Sequence, residues 1–224
     1  SYASSAAQVL SGPITGAGSL SKTGAGRLTL SGSNTYAGDT SISSGTLALA
    51  GAGSIAGSAS VNVASGAALD ISAAGAAVSI NELVGSGSVI LGGNSLRAVV
   101  DANGAVFGGV ISGAGGFTKD GSGSLQLTSL QAFTGQAKVA GGTLVLASGT
   151  TLQQASRIDV LAGAALDAVS YGPGGLSVVP NQTLGGYGTI YGDLNLAAGA
   201  VLSPGGSVGT LNGDFGTTTW NGGM

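Results

Sequence analysis

Short runs of alternating apolar and polar residues, separated by glycines, cover most of the chain. In Leu28-Thr-Leu30 and Val61-Asn-Val63 the apolar residues occupy every second position. Such alternation places one set of side chains on one face of a strand and the other set on the opposite face. Because runs this short bury little surface alone, the pattern predicts many short strands that gain stability by stacking on one another.

One stretch, residues 18–49, returns 97 positions later in the chain. The correspondence includes charged and apolar residues as well as glycines, because Lys22 recurs as Lys119 and Leu28 recurs as Leu125. Self-similarity at a fixed period is the signature of a repeat architecture. We therefore predict a repeat protein.

The spacing within a unit predicts the circuit of the solenoid. Leu28 and Leu47 lie 19 residues apart, and so do Leu125 and Leu144. A coil of roughly twenty residues with three short strands is the expected circuit of a parallel β-helix, in which each strand pairs with its equivalent one coil away. The chain then forms about ten or eleven coils and, at about 4.8 Å per coil, a rod about 50 Å long.

The predicted organisation is a single all-β domain over residues 1–224. It divides into two repeat units and a short end that starts a further, truncated strand: about 11–107, 108–215 and 216–224. Gln8-Val-Leu10 is predicted to pair as a first strand or to cap the open end. The second unit has four extra residues near Tyr171-Gly-Pro-Gly174, where we expect a protruding loop, because insertions in solenoids map to loops.

Composition and charge narrow the range of functions. The chain has 45 glycines but is 43% hydrophobic, which excludes linker-like disorder, and its glycines follow no strict three-residue period, which excludes collagen. The net charge of −3 has no runs of one sign, so there is no electrostatic footprint for nucleic acid. Cysteine and histidine are both absent. We therefore expect no disulfide, no catalytic residues, no metal site and no cofactor.

A resemblance to a known family is carried by four consecutive segments: Ser19–Lys22, Gly24–Gly32, Asn34–Gly38 and Gly45–Leu49. Together they resemble the passenger-associated transport repeat, or autotransporter-associated β-strand repeat, of bacterial autotransporters. The second copy, residues 115–146, is degenerate, since Ser129-Leu-Gln-Ala132 replaces the Gly-Ser-Asn-Thr sequence of the first. Residues 182–215 are similar to the membrane-proximal part of such passengers.

The resemblance implies a right-handed β-helix that is secreted through the outer membrane and displayed at the bacterial cell surface or released. It also implies a C-terminal β-barrel translocator in the full-length protein and an autochaperone region that starts within residues 216–224. The implied function is a non-catalytic stalk with a structural, adhesin or self-association role, which also supports secretion. Its partners are a second copy or a host or cell-surface ligand, with neither nucleic acid binding nor membrane insertion.

Two other interpretations stay open. The stalk can belong to an autotransporter enzyme, such as a subtilisin-like protease or an esterase, whose catalytic domain lies upstream. Related repeats also occur in extracellular matrix or filament-forming β-solenoids.

Three sequence features resemble chemical motifs without completing them. Gly205-Gly-Ser-Val-Gly209 fits the nucleophile-elbow string, but a histidine base is missing, so we interpret it as a turn. Gly185–Ile190 begins like a calcium-binding nonapeptide, yet Ile190 stands where the ligand aspartate belongs. Asp70 and Asp167 occupy equivalent repeat positions, about five coils and roughly 24 Å apart. That separation is too large for paired carboxylate catalysis, and we expect solvated or turn-capping roles.

The remaining candidates for contact with a partner are aromatic. Tyr171, Tyr187 and Tyr191 cluster near the inserted residues, and Trp220 lies in the last strand signal. Exposed aromatic rings anchor many binding sites, although such rings also stack along solenoids.

Two groups of polar residues are predicted to be structural. For Lys22 and Lys119 we expect edge protection and solubility. We expect Asn34, Asn62 and Asn94 to take left-handed backbone conformations beside turns.

Overall fold

The structure, a computed structural model, describes residues 1–101, 104–171, 175–205, 212–214 and 218–220. Strands of two to seven residues make up nearly all of its regular structure. The first thirteen are β1 Gln8–Leu10, β2 Leu20–Lys22, β3 Arg27–Leu30, β4 Thr40–Ile42, β5 Thr46–Gly51, β6 Val61–Val63, β7 Ala68–Ala74, β8 Val78–Asn81, β9 Leu83–Gly85, β10 Ser88–Gly92, β11 Leu96–Val99, β12 Ala105–Phe107 and β13 Val110–Gly113.

The later strands are β14 Phe117–Asp120, β15 Ser124–Leu127, β16 Ala132–Phe133, β17 Gln136–Val139, β18 Thr143–Leu146, β19 Arg157–Val160, β20 Ala165–Asp167, β21 Leu176–Val178, β22 Thr183–Gly186, β23 Thr189–Tyr191, β24 Leu194–Leu196, β25 Val201–Pro204, β26 Asn212–Asp214 and β27 Thr218–Trp220. One short 3₁₀ helix, Val169–Tyr171, follows β20. Among the described residues no helix has the length and hydrophobicity that a bilayer crossing requires.

All strand pairs are parallel and form four sheets that wind around one axis. Sheet A has ten strands in the order β2-β4-β6-β9-β12-β15-β18-β20-β23-β26. Sheet B has the order β1-β3-β5-β7-β10-β13-β16, sheet C the order β8-β11-β14-β17-β19-β22-β25, and sheet D the order β21-β24-β27. The chain is therefore a parallel β-solenoid of about ten turns, and the predicted fold class is confirmed.

The turns are close to the predicted length. Successive partners in sheet A, such as Leu125 with Leu144 and Leu166 with Ile190, are 19 to 24 residues apart. The predicted first strand is also present, since Gln8–Leu10 pairs in parallel with β3.

The core consists of ladders of aliphatic side chains that run along the axis. In sheet B the same register position is filled by Leu28, Leu47, Leu69, Val89 and Ile111, all fully buried. Each such side chain contributes about 1.5–3 kcal/mol through burial. Since a single short strand buries only two of them, stability comes from stacking one turn on the next.

The two repeat copies do not stack on the same face. Leu28 belongs to sheet B, whereas its equivalent Leu125 belongs to sheet A, and Lys22 in sheet A corresponds to Lys119 in sheet C. Following the ladder from Leu28 to Ile111 and then around to Leu125 gives about four and two-thirds turns between the copies. The repeat is therefore rotated by a third of a turn, because its length is not a whole number of turns.

The prediction for the three asparagines was wrong. Among the described residues the non-glycine residues with positive φ are Glu82 and Asn181. Asn62 lies within β6, and the buried Asn34 uses its side chain rather than an unusual backbone conformation. The reason is that glycines already occupy the left-handed turn positions, for example Gly45 with φ 66°.

Candidate functional site

Tyr191 is the last residue of β23 in sheet A, and Tyr187 lies two residues before that strand begins. Their side chains are 46% and 39% exposed. Tyr187 sits in the turn before the strand, where its N–H donates to the Val160 carbonyl at 2.8 Å. The two tyrosines are four residues apart, so their backbones are separated by no more than about 14 Å.

The neighbouring turn adds a carboxylate and an apolar side chain to the same surface. Asp167 is the ladder partner of Tyr191, and its Oδ1 accepts a hydrogen bond from the N–H of Val169 at 2.9 Å. Val169, which begins the 3₁₀ helix, is 68% exposed. We refer to Asp167, Val169, Tyr187 and Tyr191 as the tyrosine surface.

The other two predicted aromatic contacts, Tyr171 and Trp220, lie in different parts of the solenoid. The backbone of Tyr171 ends the 3₁₀ helix beside the tyrosine surface, whereas Trp220 is paired with Leu196 in sheet D, on a different sheet. The side chains of both residues lie outside what the structure describes, as do residues 172–174 of the predicted protruding loop.

The two lysines of the repeat are buried, so the prediction of edge protection was wrong. Both side chains have 0% exposure. Lys119 Nζ donates to the carbonyls of Gly121, Gly123 and Gly141 at 2.7, 2.5 and 2.9 Å. Lys22 Nζ likewise donates to the Gly24 carbonyl and, at 3.0 Å, to the Ser44 carbonyl. Each ammonium group therefore ties together the glycine turns of adjacent coils.

Burial lowers the pKa of both lysines from the ordinary lysine value. For Lys119 the nearby carboxylates of Asp120 and Asp101 act in the opposite direction. Three carbonyl acceptors match the three N–H donors of an ammonium group. The charge of Lys119 is thus compensated by three backbone carbonyls and by these two carboxylates, which is why a lysine suits this enclosed corner.

The degenerate segment of the second copy preserves a buried amide. In the first copy Asn34 Nδ2 donates to the Gly32 and Ser54 carbonyls, and Oδ1 accepts from the Ile14 N–H at 2.8 Å. In the second copy Gln131 makes the same kind of contacts with the Ser129 and Gly109 carbonyls and the Ile111 N–H. Gln131 therefore keeps the structural role that Asn34 has in the first copy, although the surrounding segment Ser129–Ala132 is degenerate.

A group of buried hydroxyls in the first copy becomes apolar in the second. Tyr36 Oη lies 2.5 Å from Thr40 Oγ1, which donates to Ser58 Oγ at 2.9 Å. The equivalent residues are Phe133, Ala137 and Ala155, all buried. Burial raises the pKa of Tyr36, although the Thr40 hydrogen bond opposes this. The three positions change together because a lone buried hydroxyl without a partner is unfavourable.

This concerted change predicts strong coupling among the three hydroxyls. We expect Tyr36→Phe alone to lower the free energy of unfolding by about 1 kcal/mol, since one hydrogen bond is lost. The triple variant Tyr36→Phe/Thr40→Ala/Ser58→Ala should cost less than the sum of the single substitutions, by about 1 kcal/mol. Urea unfolding of the single and combined variants measures this coupling, and strict additivity would contradict it.

The predicted turn-capping role is confirmed for Asp167, but the prediction of a solvated or turn-capping role was wrong for Asp70, which is buried within β7. Asp70 Oδ1 accepts from the Ser72 N–H at 2.9 Å, as Asp167 does from Val169. Asp70 also forms an ion pair with Arg27 at 2.8 Å. Burial alone would raise the pKa of Asp70, but the hydrogen bonds from Ser72 and Arg27 outweigh it and keep this pKa below its usual value.

The structure shows where the residues of the motif-like sequence features lie. Among the described residues no group of three or more carboxylate, histidine or cysteine side chains is arranged to hold a metal ion. Ile190 of the calcium-like segment is fully buried in the core. Ser207 of the nucleophile-elbow string lies outside the described residues. Asp70 and Asp167 lie on different sheets, B and A.

A comparison with known protein families shows which family repeat the chain resembles. The passenger-associated-transport-repeat family matches residues 20–49 and 117–146, which are the two copies described above. In these two segments the chain is similar to the autotransporter passengers that carry this repeat. Each matched segment holds one of the buried lysines, so this chain contains the lysine-tied turn twice.

One curated relative is an adhesin BmaC autotransporter of Brucella suis biovar 1 (strain 1330). It is 34% identical to this chain over 141 residues, which cover 60% of this chain and 4% of the relative. This chain thus spans a small part of the length of that protein. No solved structure gives a significant match.

Proposed function

We propose that residues 1–224 form one β-helical unit that serves as a non-catalytic spacer in a secreted or surface-displayed autotransporter passenger with an adhesin-like role. The observation that carries the proposal is the unbroken parallel ladder of sheet A, which links about ten successive turns. The name of the Brucella relative, an adhesin, supports the same role.

Stiffness follows from how completely the interior is bonded. In the described part of the chain no buried side-chain nitrogen or oxygen lacks a hydrogen-bond partner. Backbone ladders, buried lysines and buried amides each join adjacent turns, so extending the rod requires breaking several bonds at once. The same turn-by-turn stacking would assist movement of the passenger outward during secretion, towards its own C-terminal translocator.

Single-molecule pulling tests the spacer role. We expect the folded chain, pulled from its two ends, to resist until whole turns or groups of turns unfold cooperatively, because each turn is held to the next by two or three strand pairings. Gradual extension at low force without discrete rupture events would contradict a stiff spacer.

The tyrosine surface is the proposed contact for a host or cell-surface ligand or for a second copy. Two exposed rings beside a carboxylate and an exposed valine offer both apolar and polar contacts. We expect Tyr187→Ser/Tyr191→Ser to reduce adhesion of displaying cells to cultured epithelial cells and to each other by at least fivefold. Val106→Ser, which changes another exposed residue of sheet A, is the matched control. Equal adhesion of both variants would overturn this assignment.

A protease or esterase passenger and a matrix filament are the competing functions. Hydrolysis of casein or p-nitrophenyl acetate by the full-length passenger would favour the enzyme, with the present chain still acting as its stalk. Filaments formed by the purified chain would favour the matrix role.

A further inference from the structure

The outer face of sheet C carries most of the cations that reach the surface of the chain. Of the six lysines and arginines, Lys22 and Lys119 are buried, and three of the other four lie on this face: Arg97, Lys138 and Arg157. They are far apart in the sequence but belong to β11, β17 and β19, whose alternate residues point outward. The solenoid therefore brings positive charges together although the sequence has no run of basic residues.

The three cations form a row along the solenoid axis. Arg97, Thr118 and Lys138 occupy one ladder position on three successive strands. Strand spacing puts the Cα atoms of Arg97 and Lys138 about 10 Å apart, with Thr118 between them. Arg157 pairs with Gln136, two residues before Lys138 on the same strand, so its Cα lies roughly 8 Å from that of Lys138. The row is therefore longer than a single small anion.

The row keeps hydrogen-bond donors that the protein itself does not use. Asp120 Oδ2 accepts from Arg97 Nε at 2.8 Å and lies 2.6 Å from its Nη2. Asp159 Oδ2 accepts from Arg157 Nε at 2.6 Å. A guanidinium has five N–H donors, so both arginines keep donors that no carboxylate binds, and Lys138 forms no ion pair with any described residue. Within the strands of sheet C, three cations against two carboxylates leave one net positive charge.

The same face is flat and has no aromatic ring. A Cβ at Gly185 would lie 2.6 Å from Arg157 Nη2, so the glycine gives the guanidinium room to lie against the sheet. The outward residues of the sheet C strands include no aromatic side chain. Single-stranded nucleic acids rely on stacking with aromatic rings, and duplex DNA carries about one charge per 1.7 Å. Widely spaced cations with a hydroxyl between them fit a polymer with sparse anionic groups and many hydroxyls better.

We propose that the outer face of sheet C binds a sulfated polysaccharide that runs along the solenoid axis. Its sulfate groups accept hydrogen bonds from Arg97, Lys138 and Arg157, and its hydroxyl groups contact Thr118. Asp120 already occupies the Nε–Nη2 edge of Arg97, which would otherwise bind a carboxylate with two parallel hydrogen bonds. The remaining donors point separately, which suits the three oxygens of a sulfate ester. The inference depends neither on the spacer role nor on the tyrosine surface.

Calorimetric titration of the whole chain with a heparin octasaccharide at low ionic strength tests the proposal. We expect saturable binding that weakens as salt is added, because exposed charges are screened. Lys138→Met should weaken this binding at least fivefold. Lys138→Arg keeps the charge and should change the affinity by less than twofold.

A gain of affinity provides a second test. Asp120→Asn removes a negative charge beside Arg97 and keeps the oxygen that accepts from the Gly121 N–H at 2.7 Å, so binding should strengthen at least threefold. Asp39→Asn is the matched control, because it changes the net charge equally in the exposed turn before β4 of sheet A. It also keeps the oxygen that accepts from Ser60 Oγ, and its affinity should equal that of the native chain.

Several results would overturn the proposal. Absence of binding, unchanged affinity of Lys138→Met, or equal gains in the two asparagine variants would each exclude this face as the site. Tighter binding of a single-stranded DNA octamer than of the octasaccharide would indicate a nucleic-acid site instead. Equal binding of oligogalacturonate, which carries only carboxylates, would show that sulfate is not selected.

Discussion

Lys119→Met is expected to lower the free energy of unfolding by about 3 kcal/mol. The thioether side chain fills much of the same space, but three carbonyls that now bond to Nζ are left without a donor inside a closed corner. Each unsatisfied buried acceptor costs about 1–3 kcal/mol, partly relieved where the turn relaxes towards water. Urea unfolding followed by circular dichroism measures the change.

The matched control is Lys138→Met, which removes the same charge from the outer side of sheet C, one strand away from Lys119. Surface substitutions of this kind change stability by no more than about 0.5 kcal/mol. If both variants lost the same stability, the loss would come from net charge, and the proposed tie between coils would be wrong.

Gly115→Ala is expected to destabilise the solenoid by about 3 kcal/mol or more. A Cβ at this position would lie 1.7 Å from the backbone oxygen of Asn94 in the turn below. The turns would have to separate, which would also disturb the bonds from Asn94 Nδ2 to the carbonyls of Ile71, Ser72 and Ala74. Overpacking of this kind costs about 1–3 kcal/mol even where side chains adjust, and a backbone atom adjusts less.

The repeat equivalent of this glycine supplies the control. Gly18 lies in the first turn, and a Cβ there would meet no atom within 4 Å. We expect Gly18→Ala to leave stability unchanged or to raise it by about 0.4–1 kcal/mol, because alanine restricts the unfolded chain. Thermal unfolding of the two variants makes the comparison, and similar melting temperatures would show that coil stacking does not constrain Gly115.

Much of the fold was predictable because its signals are local. Alternation in segments such as Leu28–Leu30 sets which side chains point inward, and a spacing of about twenty residues sets the circuit. The recurrence of Lys22 as Lys119 showed that a repeat exists, but not what the lysine does. The local sequence around a lysine beside a glycine turn is the same whether the lysine reaches solvent or is enclosed by the next coil.

The candidate site was predictable only in part. Tyr187 and Tyr191 were identified from residue type and proved to be exposed on one sheet, whereas Trp220 was grouped with them and lies in another sheet. The start of sheet C at β8 had no signal in the sequence. Val78–Asn81 alternates like any paired strand, and its missing neighbour is a property of the turn before it.

The sequence by itself determined that this chain is a solenoid of short parallel strands with an aliphatic core, since period-two alternation and repeat spacing depend only on neighbouring residues. The tertiary structure alone decided which sheet each copy occupies, because small differences in turn length accumulate to a rotation of a third of a turn. It also decided that Gly115 is blocked where Gly18 is free, and that both lysines are enclosed. Those outcomes depend on which backbone atoms the adjacent coil brings close.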